Sequence, residues 1–546
     1  MTDKNSGIDF RFRRNDTLGS ADAESDDYYL SDCFVETGDL NALRDCSNAQ
    51  RIIVGRTGAG KSALIRMLKE VEDNVIELSP QNLSLSYISN SDILNFFEAA
   101  GVNLDLFYQV LWRHVLTVEL LKYRYDLRTP EKSDSFLASL FGKIKNDRSK
   151  EKAIEYLREW GEKFWDETEY RVKEITTKVE TDLTASVGAG IKSLKFDTHA
   201  GQKLTEEQKK EVVQSGRKVV NDIQIKALSD VIKFLADDVF DDGQQKYFIT
   251  IDGLDEHWVE DALRYKLIRA LVETVRSFQR IKNVKIVISI RIDLLERVIE
   301  KTRDSGFQEE KYNSLYLRLR WSRQQLENVL DRRIEKLIKQ RYTSRPVKLK
   351  ELFPKTMGKQ PFLDFLLDRT FYRPRDAILF INSCLEHSEG KNSITSQIVS
   401  LAEGEYSRRR LVSLQEEWAA TFPNLARYIK LLIGLESTFK IGALNKTHIE
   451  EICYNDVFID LASQDEVFTA ARDLFLDNKG TLHGFILVPL RILYVVGLIG
   501  IKPDATTSTF WSFHSTEIPS SGSIKPSSIV SIHPTFWRTL GIKFNK

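Results

Sequence analysis

Charge of one sign is what this 546-residue chain lacks: Lys+Arg and Asp+Glu both number 79, so the formal net charge is zero. A neutral chain exerts no global pull on nucleic acid or an anionic membrane, so either partner would need a local patch. Cysteine is sparse, with four residues (Cys33, Cys46, Cys384 and Cys453). They form no Cys-x-x-Cys pair and no histidine stands near at zinc-ligand spacing, which leaves buried or inert thiols in a reducing cytosol. The first residues, MTDKNSGIDFRFRRND, lack the apolar stretch of a secretory signal. A cytoplasmic protein with no membrane partner is the expectation. Supercharged, collagenous and disordered classes are excluded as well. Hydrophobic residues make up 42% and charged residues 29%, enough apolar side chain for real cores, and the length suggests about three or four units.

Long apolar runs are also scarce. The nearest to a membrane span is Gly484 to Ile501, interrupted by Pro489, Arg491, Gly497 and Gly500. It reads as a short buried helix with Pro489 in its first turn and Gly497 as its C-cap.

What is present is alternation. Ile52-Ile53-Val54 is a β-branched run ending in glycine, followed by a helical pattern from Lys61 to Val71 with Ala63, Leu64, Met67 and Leu68 on one face. Further strands are expected at Asn74–Leu78, Tyr247–Ile251, Val284–Ile290 and Leu315–Leu319, with a helix over Leu263–Phe278. Strands apolar on both faces and alternating with helices indicate a mostly parallel sheet covered on both sides. Ser322 to Gln325 reads as a capping box opening a helix through Ile338.

Residues 91 to 240 read as mostly helical. Leu104 to Tyr125 has helical spacing, Lys143 to Lys178 a mixed-charge face with Trp160, Phe164 and Trp165, and Asp182 to Phe196 the look of a hairpin. Helices continue beyond Val347 to about Phe439. Near the end, Thr507–His514 and Ser527–His533 read as two strands flanking a turn at Pro519–Gly522.

The chemistry sits in four places. Gly55-Arg56-Thr57-Gly58-Ala59-Gly60-Lys61-Ser62 is G-x-x-x-x-G-K-S. Glycines let successive backbone N–H groups curl around phosphate oxygens, and the helix starting near Lys61 adds its positive end. Lys61 would reach the β- and γ-phosphates, Ser62 would offer its hydroxyl to Mg²⁺, and Ala63 completes the binding segment. Asp252 follows a strand expected beside the loop strand, where its carboxylate would complete the Mg²⁺ shell; Asp255 or Glu256 would polarise the attacking water. Without the loop, this cluster would read as an acidic cap for the helix after Trp258.

Arg291 ends another strand, within reach of a γ-phosphate or paired with Asp293 or Glu296. Phe371-Tyr372-Arg373-Pro374-Arg375-Asp376 opens a helix. A cation in a first turn is mildly unfavourable, so Arg375, and less strongly Arg373, invites a nucleotide phosphate or pairs with Asp376.

These motifs resemble those of STAND and AAA+ type P-loop ATPases: GRTGAGKS the nucleotide loop, FITIDGLDE at 248–256 the Walker B strand, Arg291 the sensor-1 position and Arg373–Asp376 the start of the sensor-2 lid helix. The leader Gly19–Asp26 resembles a bacterial branch near the KAP group, often met in anti-phage defence loci. The resemblance implies a leader at 1–48 and a P-loop ATPase core at 49–90 and 241–345. The 190 residues from Ser62 to Asp252 exceed what a compact core requires, so 91–240 reads as a mostly helical insertion that the resemblance does not explain. The resemblance further implies a helical lid at 346–440 and a winged-helix-like domain at 441–546. It also implies ATP and Mg²⁺ as cofactors, and a switch that hydrolyses ATP to gate a protein effector or its own assembly. Origin-recognition-like or loader activity on DNA is the alternative, with a scaffold that uses ATP only to fold as a third. The expected recognition helix carries Arg491 as its sole charge, which favours packing on protein over reading bases.

Overall fold

The computed structural model describes residues 11–81, 103–126, 225–241, 243–303, 309–341, 346–458, 465–514 and 519–543, with positions 135, 139 and 210. The mixed-charge stretch 143–178 and the expected hairpin at 182–196 lie outside these residues. The chain divides into two compact units, one of residues 36–56 and 61–319, the other of 1–35, 57–60 and 320–546.

The first unit is α/β. Its elements in chain order are α1 (Asp39–Arg44), β1 (Ile52–Gly55), α2 (Lys61–Val71), β2 (Val75–Leu78), α3 (Asp105–Tyr125), α4 (Ile225–Phe234), β3 (Tyr247–Ile251), α5 (Asp261–Ser277), β4 (Val284–Arg291), α6 (Ile292–Lys301) and β5 (Tyr316–Arg318). The five strands form one sheet in the order β2-β3-β4-β1-β5, and every pairing is parallel. Strands β1 and β3 are buried at every residue, as expected of a parallel sheet covered on both faces. Helix α3 contributes Phe107, Leu111, Trp112, Val115 and Leu116, all at most 1% exposed, to the same core as the strands. The Trp112 indole N–H donates to the Leu267 carbonyl of α5 at 2.9 Å.

One expectation is corrected here. Strand β3 does not lie beside the loop strand β1, because β4 stands between them: Ile288 is flanked by Ile52 on one side and Ile251 on the other. Two strand spacings of about 4.8 Å put Ile251, the last residue of β3, ~10 Å across the sheet from Ile52, the first residue of β1, and β1 runs three residues further to Gly55, which is level with Arg291. Strand order comes from how the crossover helices pack, and the apolar pattern of a single strand does not carry it.

The second unit is mostly helical. The capping box at its entry is formed, with the Ser322 amide donating to Gln325 Oε1 at 2.8 Å and the Gln325 amide to Ser322 Oγ at 3.2 Å. It opens α7 (Arg323–Arg341), followed by α8 (Phe362–Leu367), α9 (Pro374–Glu386), α10 (Ser396–Trp418) and α11 (Leu425–Ile429). Of the leader, residues 11–35 belong to this unit and 36–48 to the first: Phe12 and Leu18 lie in the core with α7 and α9, and Arg333 holds the Leu18 carbonyl at 2.7 Å.

The C-terminal part contains β6 (Thr438–Lys440), α12 (Lys446–Ile452), α13 (Glu466–Phe475), α14 (Leu482–Val496), β7 (Ile499–Lys502) and β8 (Ile529–Ile532), with an antiparallel sheet in the order β6-β8-β7. Two expectations are corrected. Helix α14 starts at Leu482, capped by the Thr481 side chain, so Pro489 lies inside it; the C-cap at Gly497 stands as expected, in the left-handed region. A proline there forfeits one backbone bond, which the burial of Phe485, Ile486, Leu490, Leu493 and Tyr494 offsets. And β8 pairs with β7 instead of Thr507–His514, which contributes a single bridge between Ile501 and Phe510. Among the described residues no helix is long and apolar enough to cross a membrane, and all four cysteines are buried and free.

Candidate functional site

In the α/β unit, residues 55–56 end β1 and residues 61–63 open α2, both at the carboxyl edge of the sheet. This is the edge where open α/β sheets bind ligands. Lys61, Ser62 and Ala63 are half-buried, and Lys61 Nζ donates to the Arg56 carbonyl at 3.2 Å. At the end of β3, Asp252 is half-buried, and its Oδ1 accepts the Gly253 amide at 3.0 Å. The Glu256 carboxylate folds back over Gly253, approaching to 3.2 Å the point where a Cβ would stand, and accepts a hydrogen bond from the Gln81 side-chain amide beyond β2.

The acidic loop is fixed from below. Arg264 on α5, 2% exposed, donates through Nη1 to the Glu256 carbonyl at 2.9 Å and pairs through Nη2 with Asp261 at 2.7 Å. The Trp258 indole donates to the Leu254 carbonyl at 3.2 Å.

Arg291 pairs through both Nε (3.0 Å) and Nη2 (2.9 Å) with the Asp293 carboxylate. Its Nη1 lies 3.5 Å from Asp255 Oδ2. Asp293 also receives Arg297 at 3.3 Å. The structure therefore joins Arg291 to Asp255 and Asp293 in one charged cluster, Asp293 being one of the two acids that the sequence offered.

In the helical unit, loop residues 57–60 are held by three donors. Arg373 Nη1 donates to the Thr57 carbonyl at 2.5 Å, the Arg375 amide to the Gly58 carbonyl at 3.4 Å, and the Trp321 indole N–H to the Ala59 carbonyl at 2.8 Å. Gly58 and Gly60 have φ of 76° and 98°, the left-handed region where glycine carries no penalty. A Cβ on Gly58 would come within 2.6 Å of the Arg375 Cβ.

Arg373 is 3% exposed and binds Asp376 through Nε (2.8 Å) and Nη2 (3.3 Å). Glu417 lies 3.5 Å from its Nη1. Arg410 approaches the same Asp376 carboxylate at 3.3 Å. Burial alone would raise the Asp376 pKa, but Arg373 and Arg410 bring it down to about 2. Among the described residues Arg375 forms no ion pair with Asp376; its Nε donates to the Ala21 carbonyl at 3.1 Å.

Several of these residues were not singled out from the sequence. Gln81 had one usable signal, its place just past a strand end on the site edge. Arg264, Trp321 and Glu417 had none, since each acts through a main-chain carbonyl or an ion pair that only the fold creates.

The residues present fit a magnesium-bound nucleotide. Among the described residues the buried Thr57 hydroxyl has no hydrogen-bond partner. Among the described residues the amides of Gly58, Ala59 and Gly60 make no hydrogen bond. Ser62 and Asp252 are hard oxygen donors of the kind Mg²⁺ takes. The class that fold and loop define is a P-loop α/β protein with helical domains.

Comparison with known proteins adds the following. The family described as the FunZ-associated C-terminal helical domain matches residues 324–415, within α7 to α10. A putative transposon gamma-delta 80.3 kDa protein of Escherichia coli (strain K12) is 22% identical, over 98% of this chain and 68% of its own. Among solved structures, the Walker-type ATPase PABY2304 of Pyrococcus abyssi is similar with a TM-score of 0.36 and 10% identity, covering 96% of this chain and 98% of that one. The Aeropyrum pernix ORC2 protein has a TM-score of 0.35 and 12% identity, covering 92% and 91%.

Proposed function

We propose that the chain is a magnesium-dependent ATPase that works as a nucleotide switch, gating a protein effector or its own assembly. The observation that carries the reading is GRTGAGKS between a fully buried strand and a helix, at the carboxyl edge of an all-parallel sheet. The amides of residues 58–60 and Lys61 would hold the phosphates, and Ser62 and Asp252 would hold the metal. When bound, Mg²⁺ supplies charge neutralisation for a triphosphate whose terminal group is being displaced.

Asp255 or Glu256 would orient and deprotonate the attacking water. The Gln81 bond to Glu256 and the Arg291 contact with Asp255 are arrangements that a change of ligand state could remake. Arg291, and Arg375 beside the loop, are the cations that would answer charge developing on the leaving phosphate. The winged-helix reading of 441–546 is supported by α12 to α14 and the β6-β8-β7 sheet. The pairing of Arg491 with Glu466 at 2.5 Å favours a protein-facing surface there. Anti-phage defence is the biological setting that the family resemblance suggests.

The test is direct. Lys61→Ala should abolish MgATP binding and phosphate release, and Asp252→Asn should cut phosphate release about a hundredfold or more. Turnover unchanged in both sinks the proposal.

A second reading, an ATPase acting on DNA, draws on the name of the transposon gamma-delta relative. Binding to duplex DNA that weakens steeply with salt would favour it; no retention at low salt would end it.

A further inference from the structure

The three carbonyls gripped in the loop are consecutive: Thr57, Gly58 and Ala59, bound by Arg373, the Arg375 amide and Trp321. In a trans peptide the carbonyl oxygen and the next residue's N–H lie in one plane and point in opposite directions. Drawing the carbonyls of 57, 58 and 59 to one side therefore turns the amides of 58, 59 and 60 to the other. Those are the amides that make no hydrogen bond among the described residues. Gly58 and Gly60, with positive φ, permit the alternation that such a concave run of N–H groups requires.

From this we infer that Arg373 and Trp321 are positioning residues that set the phosphate-binding face of the loop by pulling on its carbonyls, without touching a phosphate. Arg373 suits the role and is ill suited to the phosphate contact expected of a lid arginine. All three of its guanidinium nitrogens are engaged, with Asp376, Glu417 and the Thr57 carbonyl. Burial at 3% exposure leaves it no free face. The two carboxylates keep the guanidinium charged despite that burial, so its bond to Thr57 is charge-assisted and of the stronger kind. Trp321 adds a neutral donor at the far end of the same run, with its ring 3.6 Å from where a Gly60 Cβ would stand. Preorganisation of this sort acts on affinity, because a loop already shaped loses less freedom when the phosphates arrive.

The inference rests on the nucleotide-site reading, and the experiment separates the two. Binding of Mg-ADP is measured by titration calorimetry on the full chain, and pyrophosphate, which carries phosphates alone, is measured as a competitor. Trp321→Phe removes the donor and keeps the ring; Arg373→Lys keeps the charge and loses the fork. Each should weaken both probes about fivefold, the loss of one typical hydrogen bond. In turnover, KM should rise with kcat unchanged, whereas a merely structural role would lower the melting temperature and leave the affinity of the folded fraction alone. Lys61→Ala is the reference. If it loses Mg-ADP while both positioning variants bind as the wild type does, this inference falls and the nucleotide site stands. If Lys61→Ala itself binds like the wild type, the nucleotide site falls and the inference with it.

Discussion

Two groups of buried charge, one in each unit, contrast in how they are matched. In the helical unit Arg373, Asp376 and Arg410, each at most 4% exposed, form a network in which cation meets carboxylate. In the α/β unit Lys285 is 0% exposed and its ammonium donates to the Ala42 and Asp45 carbonyls, both at 2.7 Å. Arg51, 2% exposed, donates to the Cys46 carbonyl at 3.2 Å, and its Nε and Nη1 have no hydrogen-bond partner among the described residues. Buried ions need compensation, and carbonyl dipoles supply less of it than a carboxylate does. The network in the helical unit therefore holds its charges against burial, with Asp376 at about 2. Lys285 falls to about 8, first through burial and then through Arg51. The matched group stands beside the phosphate loop residues 57–60; the unmatched group sits at the starts of β1 and β4, the opposite end of the strands from the site.

Removing the carboxylate from the matched group should have the largest effect. Asp376→Asn leaves two buried guanidinium groups sharing a neutral amide, and breaking a buried pair costs about 3–5 kcal/mol. Urea unfolding at pH 7 would show it, and a loss below about 1 kcal/mol would erase the contrast between the units. The same carboxylate gives an acid signature. Its folded pKa, about 2, lies below the unfolded 3.8. The stabilisation is fully present above about pH 4, amounts to about 2 kcal/mol, and is lost as pH falls through the folded value. The Asn variant should lack that acid limb.

Lys285 should show the opposite, alkaline limb, no larger than the cost of about 3–5 kcal/mol for Asp376→Asn. Its folded pKa is depressed, from 10.5 to about 8. Below pH 8 both states carry the charge. Between about 8 and 10.5 the unfolded lysine still binds a proton that the folded one has released, so stability rises with pH by about 3 kcal/mol. Lys285→Met should remove that rise from the difference between variant and wild type, and should be neutral or stabilising at pH 7. A variant that is strongly destabilised at pH 7 would mean that the carbonyls match the charge as well as a carboxylate does.

How much of this was legible in the sequence follows from the range over which each feature is encoded. The loop, its strand and its helix are contiguous, so Ile52–Val71 could be read directly, and so could the capping box at Ser322. The acids at 252, 255 and 256 and the arginine at 291 could be placed at strand ends because the apolar runs before them stop there. The order of the strands could not be read, since parallel neighbours are chosen by helix packing between segments far apart. Nor could the partner of Arg373. Asp376 was legible as a neighbour three residues on, but the Thr57 carbonyl is a main-chain group that no residue type announces. Pro489 misled for a physical reason: a proline signals a helix start only when the burial around it does not outweigh one missing backbone bond.

The smallest expected effect completes the series and bears on the choice between partners. Arg491 on α14 and Glu466 on α13 make contacts of 2.6 and 2.5 Å with side chains 51% and 44% exposed. Chemically this pair resembles Arg373 with Asp376, but water already solvates both ions. Glu466→Gln should change stability by about 0.5 kcal/mol or less, and that little should fade as salt screens it. The substitution also frees the one charge on the helix that a winged-helix reader would lay in the groove. If this surface contacted DNA, releasing Arg491 from its acid would tighten binding and steepen the salt dependence by about one phosphate contact. If it packs on protein, the variant should leave DNA retention at low salt where the wild type has it. The exposed pair thus separates the two partner classes through a change that hardly disturbs the fold, which the buried pair cannot do.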